Sequence, residues 1–302
     1  MKYIIRKAVI ARVPEIEISV EEYLILQQAR NVLISALAIE EKYEILIANF
    51  LALEKELLHV AATNMVRQAH SYTEFFETQS ILNICIVNLL TSARLYLDQL
   101  PQDVADCAPE NLNAASLVKE RCSKEYDENF EYRFMEALRN HVQHRGIPIH
   151  RLNQGGQWTS HEDDALISYT VDIIAQRSRL AENKKFKKSI LNEMPEDVDL
   201  KIAGRRYVES LSAINEFARS LISMTVESAR ERVKATHTRY SEVYSESLIG
   251  LAASEINNGN EVTSVPLLLD WDDVRIKLQR RNTQLVNLGK RYSTGEPSRK
   301  IN

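Results

Sequence analysis

The chain has very few places at which a helix must stop. Its 302 residues hold eight glycines and seven prolines, so long uninterrupted elements are expected, and helix is the element that reaches such lengths. From Ser19-Val20-Glu21-Glu22 to about Gln68 there is neither glycine nor proline. The start of that run reads as a capping box, in which a serine hydroxyl and a glutamate three residues on satisfy free N–H groups of a first turn. Tyr23, Leu26, Ala29, Val32 and Leu33 then follow at the spacing of a buried helical face, and Ile47, Leu51 and Leu58 continue a similar face. The pattern predicts one very long helix, or two with a slight break.

The remaining chain divides by the same signals. Residues 3–13 are rich in β-branched side chains and end at Pro14, which predicts a short strand. A second helix is expected from about Tyr72, starting near Ser71, to Gln99. Its middle is apolar nearly all round apart from Asn83 and Asn88, as suits the centre of a bundle. Pro101 should end it, with a loop over 101–111 and a third helix from about Leu112 to His144. Asn153-Gln154-Gly155-Gly156 is the strongest loop signal, and a domain boundary is drawn there: a bundle over 1–152 and a helical region with one or two strands over 153–302. Residues 166–174 read as a strand that could pair with the N-terminal one. A long helix is expected over 207–244, with Leu211, Ile214, Leu221, Ile222 and Val226 as its core side and a dimerisation surface as its other use. Asn257-Asn258-Gly259-Asn260 reads as a turn. Asp270 reads as the N-cap of a last helix to about Leu288, and a polar, disordered tail follows from Arg291. The fold class expected is mainly α.

A formal charge of −4 argues against a protein that grips nucleic acid through its overall field. A local basic patch is present at Lys184, Lys185, Lys187 and Lys188, read first as a solvated face and second as an RNA-backbone contact. Cys85, Cys107 and Cys122 have no metal-ligand spacing and suit a reducing compartment, with Cys85 a small core residue. The apolar N-terminal segment is too short for a signal peptide, and no segment offers the roughly 20 apolar residues that cross a bilayer. The expectation is a cytoplasmic protein without a membrane partner. Trp158 and Trp271 read as packing residues, and no phosphate-loop or dinucleotide fingerprint is present.

Chemistry-bearing residues concentrate in 131–150. Phe134, Leu138 and Val142 recur at a helical interval, and Gly146 and Pro148 stop the helix. Just before the stop stand Arg139, Asn140, His141, Gln143 and His144, and four of the seven histidines (His141, His144, His150, His161) lie in or shortly after the stretch. A structural role is open to such residues, because cations at a helix C-terminus favour its dipole and cap its carbonyls. A metal reading would combine His141 and His144 with His150 or His161 and with Glu162, Asp163 and Asp164. That spacing is not the His-Glu-x-x-His of metalloproteases, and neither metal nor cofactor is expected.

Arg139-Asn140 followed by His144 resembles the Arg-polar-x-x-x-His motif of the HEPN superfamily, which lies near the end of a helix in a small helical bundle. The resemblance covers roughly residues 15–150. It implies a HEPN-like bundle and a metal-independent endoribonuclease, often a toxin or phage-defence effector. It also implies a homodimer whose two motifs face each other, with an antitoxin or defence protein as a further partner. Cleavage of RNA by its own 2′-hydroxyl needs a base, an acid for the leaving oxygen and positive charge on the transition state. Histidine, with a pKa of ~6.5, suits the proton transfers, and arginine offers a cationic fork for phosphate oxygens. His144 is accordingly assigned the acid/base role, Arg139 the phosphate, and Asn140 the orientation of substrate or partner. Glu136 could hold Arg139 by an i, i+3 pair, and His141 is a candidate second histidine. Arg145, Lys184, Lys185, Lys187 and Lys188 are weaker RNA contacts. Residues five apart on an ideal helix point ~140° apart, whereas His141 and His144, three apart, share a face. The alternatives are a non-catalytic RNA- or nucleotide-binding scaffold and a protein-interaction module.

Overall fold

A computed structural model describes residues 1–8, 13–67, 71–161, 165–244 and 247–293. As expected, the chain is mainly helical, and it carries two small antiparallel sheets. The predicted N-terminal strand is β1 (Lys2–Lys7), joined by a second strand, β2 (Ile16–Ile18); residues 9–12 of the predicted strand lie outside the described residues. The glycine-free run forms a single helix of 47 residues, α1 (Val20–Val66), and Ser19 Oγ accepts the Glu22 N–H at 3.1 Å at its start. Its first half buries the residues predicted. In its second half Phe50, Leu53, Leu57 and Val60 are buried while Leu51 and Leu58 face solvent, so the face lies one residue away from the one expected.

Ser71 and Glu74 form a reciprocal capping box: Ser71 Oγ accepts the Glu74 N–H at 3.2 Å, and the Glu74 carboxylate accepts the Ser71 N–H at 3.1 Å. The helix they open, α2 (Tyr72–Cys107), corrects the expected end at Gln99 and passes through Pro101. A proline inside a helix costs about 3 kcal/mol, but Leu100, Val104 and Cys107 around it are fully buried, and that burial offsets the lost bond. The helix centre is not apolar on all sides of its environment, since Ile81 and Ile84 are exposed. By length and composition alone α2 could cross a bilayer, contrary to the expectation that no segment could, but 44% of its most apolar window is buried inside the protein.

The single helix expected over 112–144 is two, α3 (Ala114–Glu128) and α4 (Phe130–His144), parted at the extended Asn129. The 153–156 loop is also corrected: these residues lie within a strand, β3 (Arg151–Trp158), paired along its length with β4 (Ile167–Gln176). Gly156 marks a crossing rather than a turn, because a Cβ there would stand 2.7 Å from Ile167 Cγ2 and 3.1 Å from the Tyr169 ring. The expected pairing of β4 with the N-terminal strand does not occur; β4 lies between β3 and β5 (Asp197–Asp199). Two short helices, α5 (Arg177–Ala181) and α6 (Lys188–Glu193), follow β4. The long C-terminal helix, α7 (Leu200–Val243), begins earlier than predicted. The 257–260 turn is a hairpin between β6 (Leu251–Asn257) and β7 (Asn260–Pro266), with Asn258 and Gly259 both left-handed at φ 51° and 82°. The last helix, α8 (Asp270–Arg281), is capped at Leu269 rather than Asp270 and stops well before Leu288. Of the polar tail, residues 294–302 lie outside the described residues.

The chain forms two compact units. The first comprises Met1–Leu46, Arg94–Cys122 and Ile214–Thr283; the second comprises Ile47–Ala93, Ser123–Ala213 and Gln284–Asn302. The boundary predicted after residue 152 falls inside β3 and inside the second unit. The first unit holds the sheet β2-β1-β6-β7. Its core includes a buried carboxylate, Glu40, gripped by the Arg219 guanidinium at 2.6 and 2.9 Å, and a Tyr96 hydroxyl that donates to Asn215 at 2.9 Å. The second unit holds the sheet β3-β4-β5 and all of α4, α5 and α6. Trp158, read as a packing residue, is 62% exposed.

Candidate functional site

The end of α4 is shaped by its buried stripe. Phe134, Leu138 and His141 stand at i, i+4 and i+7, and all three are buried. His141 is therefore a core-side residue, while His144 on the same last turn is exposed. The Arg145 and Gly146 N–H groups both donate to the His141 carbonyl, at 2.8 and 3.3 Å, which closes the helix where Gly146 was predicted to stop it.

Arg139 lies on the same turn as its two holders. Its Nη1 donates to Gln143 Oε1 at 2.8 Å and its Nη2 to Asn140 Oδ1 at 2.6 Å. Its Nε is buried without a hydrogen-bond partner. The guanidinium is thus pre-oriented, with donor capacity left, since it carries five N–H groups. Glu136, assigned to Arg139 from the sequence, accepts a hydrogen bond from the Tyr207 hydroxyl at 2.5 Å. Burial and the Glu136 charge push that phenol well above its ordinary range, so it stays a donor.

Beyond the helix end the chain turns back through Pro148, and α2 holds it. Asn83 Oδ1 accepts the Ile149 N–H at 3.1 Å, and Gln79 Nε2 donates to the Ile149 carbonyl at 3.3 Å. The next residue, His150, is fixed by its own N–H on the Ile174 carbonyl and by its Nδ1, which accepts the Gln176 N–H, both at 2.9 Å. Its ring stands edge-on to His141, 6.2 Å between centroids. The two histidines line a cleft of about 610 Å³ together with Arg145, Ile147, Arg179, Glu182, Asn183 and Lys184.

Both rings resist protonation. Burial lowers the pKa of His141, and burial, then the neighbouring His141 ring and the Arg179 cation, lower that of His150 to about 4 against the opposing pull of Glu182. Hydrogen bonding fixes their tautomers. Asn183 donates its amide N–H to His141 Nδ1 at 3.1 Å, and a backbone N–H occupies His150 Nδ1, so the proton of each neutral ring sits on Nε2.

Of the residues chosen from the sequence, His141, Arg145 and Lys184 line this cleft, and Arg139, Asn140 and His144 are not among its lining residues. Lys185 and Lys188 are exposed. Lys187 is committed elsewhere, bonded to the Tyr126 hydroxyl with its ammonium 4.7 Å from that ring's centre. His150, Arg179 and Asn183 were not selected for this role. The periodicity that buries His141 could have indicated a second, inward-facing site, but only the fold brings α5 to it. Among the described residues no three His, Cys, Asp or Glu side chains come together to hold a metal ion, and Glu162, Asp163 and Asp164 lie outside the described residues. Comparisons with protein-family models, with curated proteins and with solved structures give no match to this chain.

Proposed function

We propose that the chain is a HEPN-like, metal-independent endoribonuclease that cleaves RNA by attack of its 2′-hydroxyl. The observation that carries this reading is the last turns of α4, where Asn140 and Gln143 hold the Arg139 fork and His144 stands exposed to solvent. In this mechanism His144 takes the 2′-hydroxyl proton. The freed oxygen attacks phosphorus and the bond to the 5′-oxygen breaks. Arg139 stabilises the negative charge gathered on the phosphoryl oxygens. The leaving 5′-oxygen needs a proton, and His141 is poorly suited to give it, being buried and held neutral. A homodimer that supplies a second His144 meets that need. Cytoplasmic action as a toxin or phage-defence effector, with an antitoxin or defence protein as partner, belongs to the same reading.

The test is RNA cleavage by purified protein in EDTA, comparing wild type with Arg139→Ala and His144→Ala. Products ending in 2′,3′-cyclic phosphate, lost in both variants, support the proposal. Cleavage indifferent to both changes sinks it. A second reading, a non-catalytic RNA- or nucleotide-binding scaffold, draws on the same geometry, because Asn140 and Gln143 already occupy both ends of the Arg139 fork. It expects RNA binding that survives His144→Ala and no product at any enzyme concentration.

A further inference from the structure

The first unit holds a groove of its own, between α1 and α7. Arg239 meets Glu22 at 2.7 Å and Arg219 meets Glu40 at 2.6 and 2.9 Å, so the two helices run antiparallel and Arg232 comes level with Gln28. Ala29, Val32 and Ala229, all buried, form a floor of little bulk, and Leu221 extends the apolar lining along α7. The end of α2 is pinned beside this floor, because Cys107 Sγ donates to the Val32 carbonyl at 3.6 Å. The Asn111 N–H then donates to the Ala108 carbonyl at 2.9 Å, closing a turn that carries Glu110 to the rim. Arg232 and Glu110 both line the groove, yet among the described residues neither side chain has a hydrogen-bond or ion-pair partner. An unengaged cation and an unengaged anion beside one apolar floor match a ligand that carries both charges and an apolar body. The volume of about 410 Å³ falls within the range of small-molecule sites.

We propose that this groove binds a free α-amino acid with a large apolar side chain. Its carboxylate lies on the Arg232 fork, its ammonium on Glu110, and its side chain on the floor of Ala29, Val32 and Ala229. A guanidinium presents paired N–H donors to a carboxylate, and the Gln28 amide, level with it, supplies a further donor. A plain fatty acid would leave Glu110 unmatched, and a plain amine would leave Arg232 so. The groove is built wholly from the first unit, whereas Arg139 and His144 belong to the second, so it does not rest on RNA cleavage.

Calorimetric titration of the full chain tests it, with L-phenylalanine as the ligand and phenethylamine, 3-phenylpropionate and glycine as its truncated forms. Phenylalanine should bind, and each truncated form should bind about tenfold more weakly or worse, the loss typical of one charge-assisted contact. Arg232→Gln should weaken phenylalanine by a similar factor without further loss for phenethylamine, which has no carboxylate to lose. Glu110→Gln should do the same without further loss for 3-phenylpropionate. Both side chains are exposed, and unchanged circular-dichroism melts confirm that the variants still fold. Absence of phenylalanine binding, or binding equal in wild type and both variants, overturns the proposal. Phenethylamine or 3-phenylpropionate as tight as phenylalanine overturns the pairing of both charges, and glycine as tight overturns the role of the apolar floor.

Discussion

His150 stays neutral through the range in which most histidines gain a proton, and this makes it a lever on stability. Burial is the first cause, the neighbouring His141 ring and the Arg179 cation add to it, and its pKa in the folded chain falls from the ordinary 6.5 to about 4. Below the ordinary value the unfolded chain takes up a proton that the folded ring refuses. The contribution is therefore complete above pH 6.5 and is lost progressively as pH falls toward 4. Melting temperatures measured between pH 7 and 4.5 should fall more steeply for wild type than for His150→Asn. The asparagine can still accept the Gln176 N–H now held by Nδ1 but has no ring to titrate. Identical slopes in the two proteins would remove His150 from the account. This histidine was legible in the sequence only as one of a cluster. Its partner across the cleft, Arg179, lies 29 positions away by number (179 − 150), and no spacing rule connects the two.

The break between α3 and α4 fixes where the last turns of α4 begin, and one side chain holds it. Arg133 Nη1 donates to the Tyr126 and Asp127 carbonyls at 2.7 Å each, taking two acceptors that the end of α3 leaves free. Its Nη2 reaches Glu193 at 2.6 Å, and Asn129 Nδ2 donates to Glu125 at 2.8 Å. With the side chain mostly buried, Arg133→Ala should cost about 2–3 kcal/mol in urea unfolding, since charge-assisted bonds to two carbonyls are lost together. Arg133→Lys, a point charge without the fork, should recover only part of that. A loss below about 0.5 kcal/mol, typical of plain surface substitutions, would show that water satisfies the carbonyls equally well. No glycine or proline stands at Asn129, so the break was invisible to punctuation. Pro101 misled in the other direction, because burial around it outweighs its missing N–H. Asn153-Gln154-Gly155-Gly156 read as a loop because Gly156 is small, yet it is small so that Ile167 and Tyr169 can cross over it. Long periodic runs such as α1 and α2 were legible, whereas these three sites depend on side-chain contacts that neither periodicity nor glycine and proline punctuation marks.

At the scale of the whole chain, charge decides how RNA could be held. A net charge of −4 supplies no general attraction, so any grip must come from a local group of cations. Arg145, Lys184, Lys185 and Lys188 are exposed and open to such a role, while Lys187 is occupied by Tyr126. The sequence showed the basic run but could not separate these lysines, because the Tyr126 contact is a product of the fold. Each phosphate neutralised on a single strand changes the slope of log affinity against log salt by about −0.7. Four such contacts give a slope near −3. Lys184→Ala should bring it about 0.7 closer to zero, whereas Lys187→Ala should leave it unchanged. Fluorescence anisotropy with a short single-stranded RNA over a salt series measures both. A flat salt dependence would mean that the patch is a solvated face and that any RNA contact lies elsewhere on the chain, whereas a shift for Lys187→Ala equal to that for Lys184→Ala would mean that the Tyr126 contact does not withhold Lys187 from RNA.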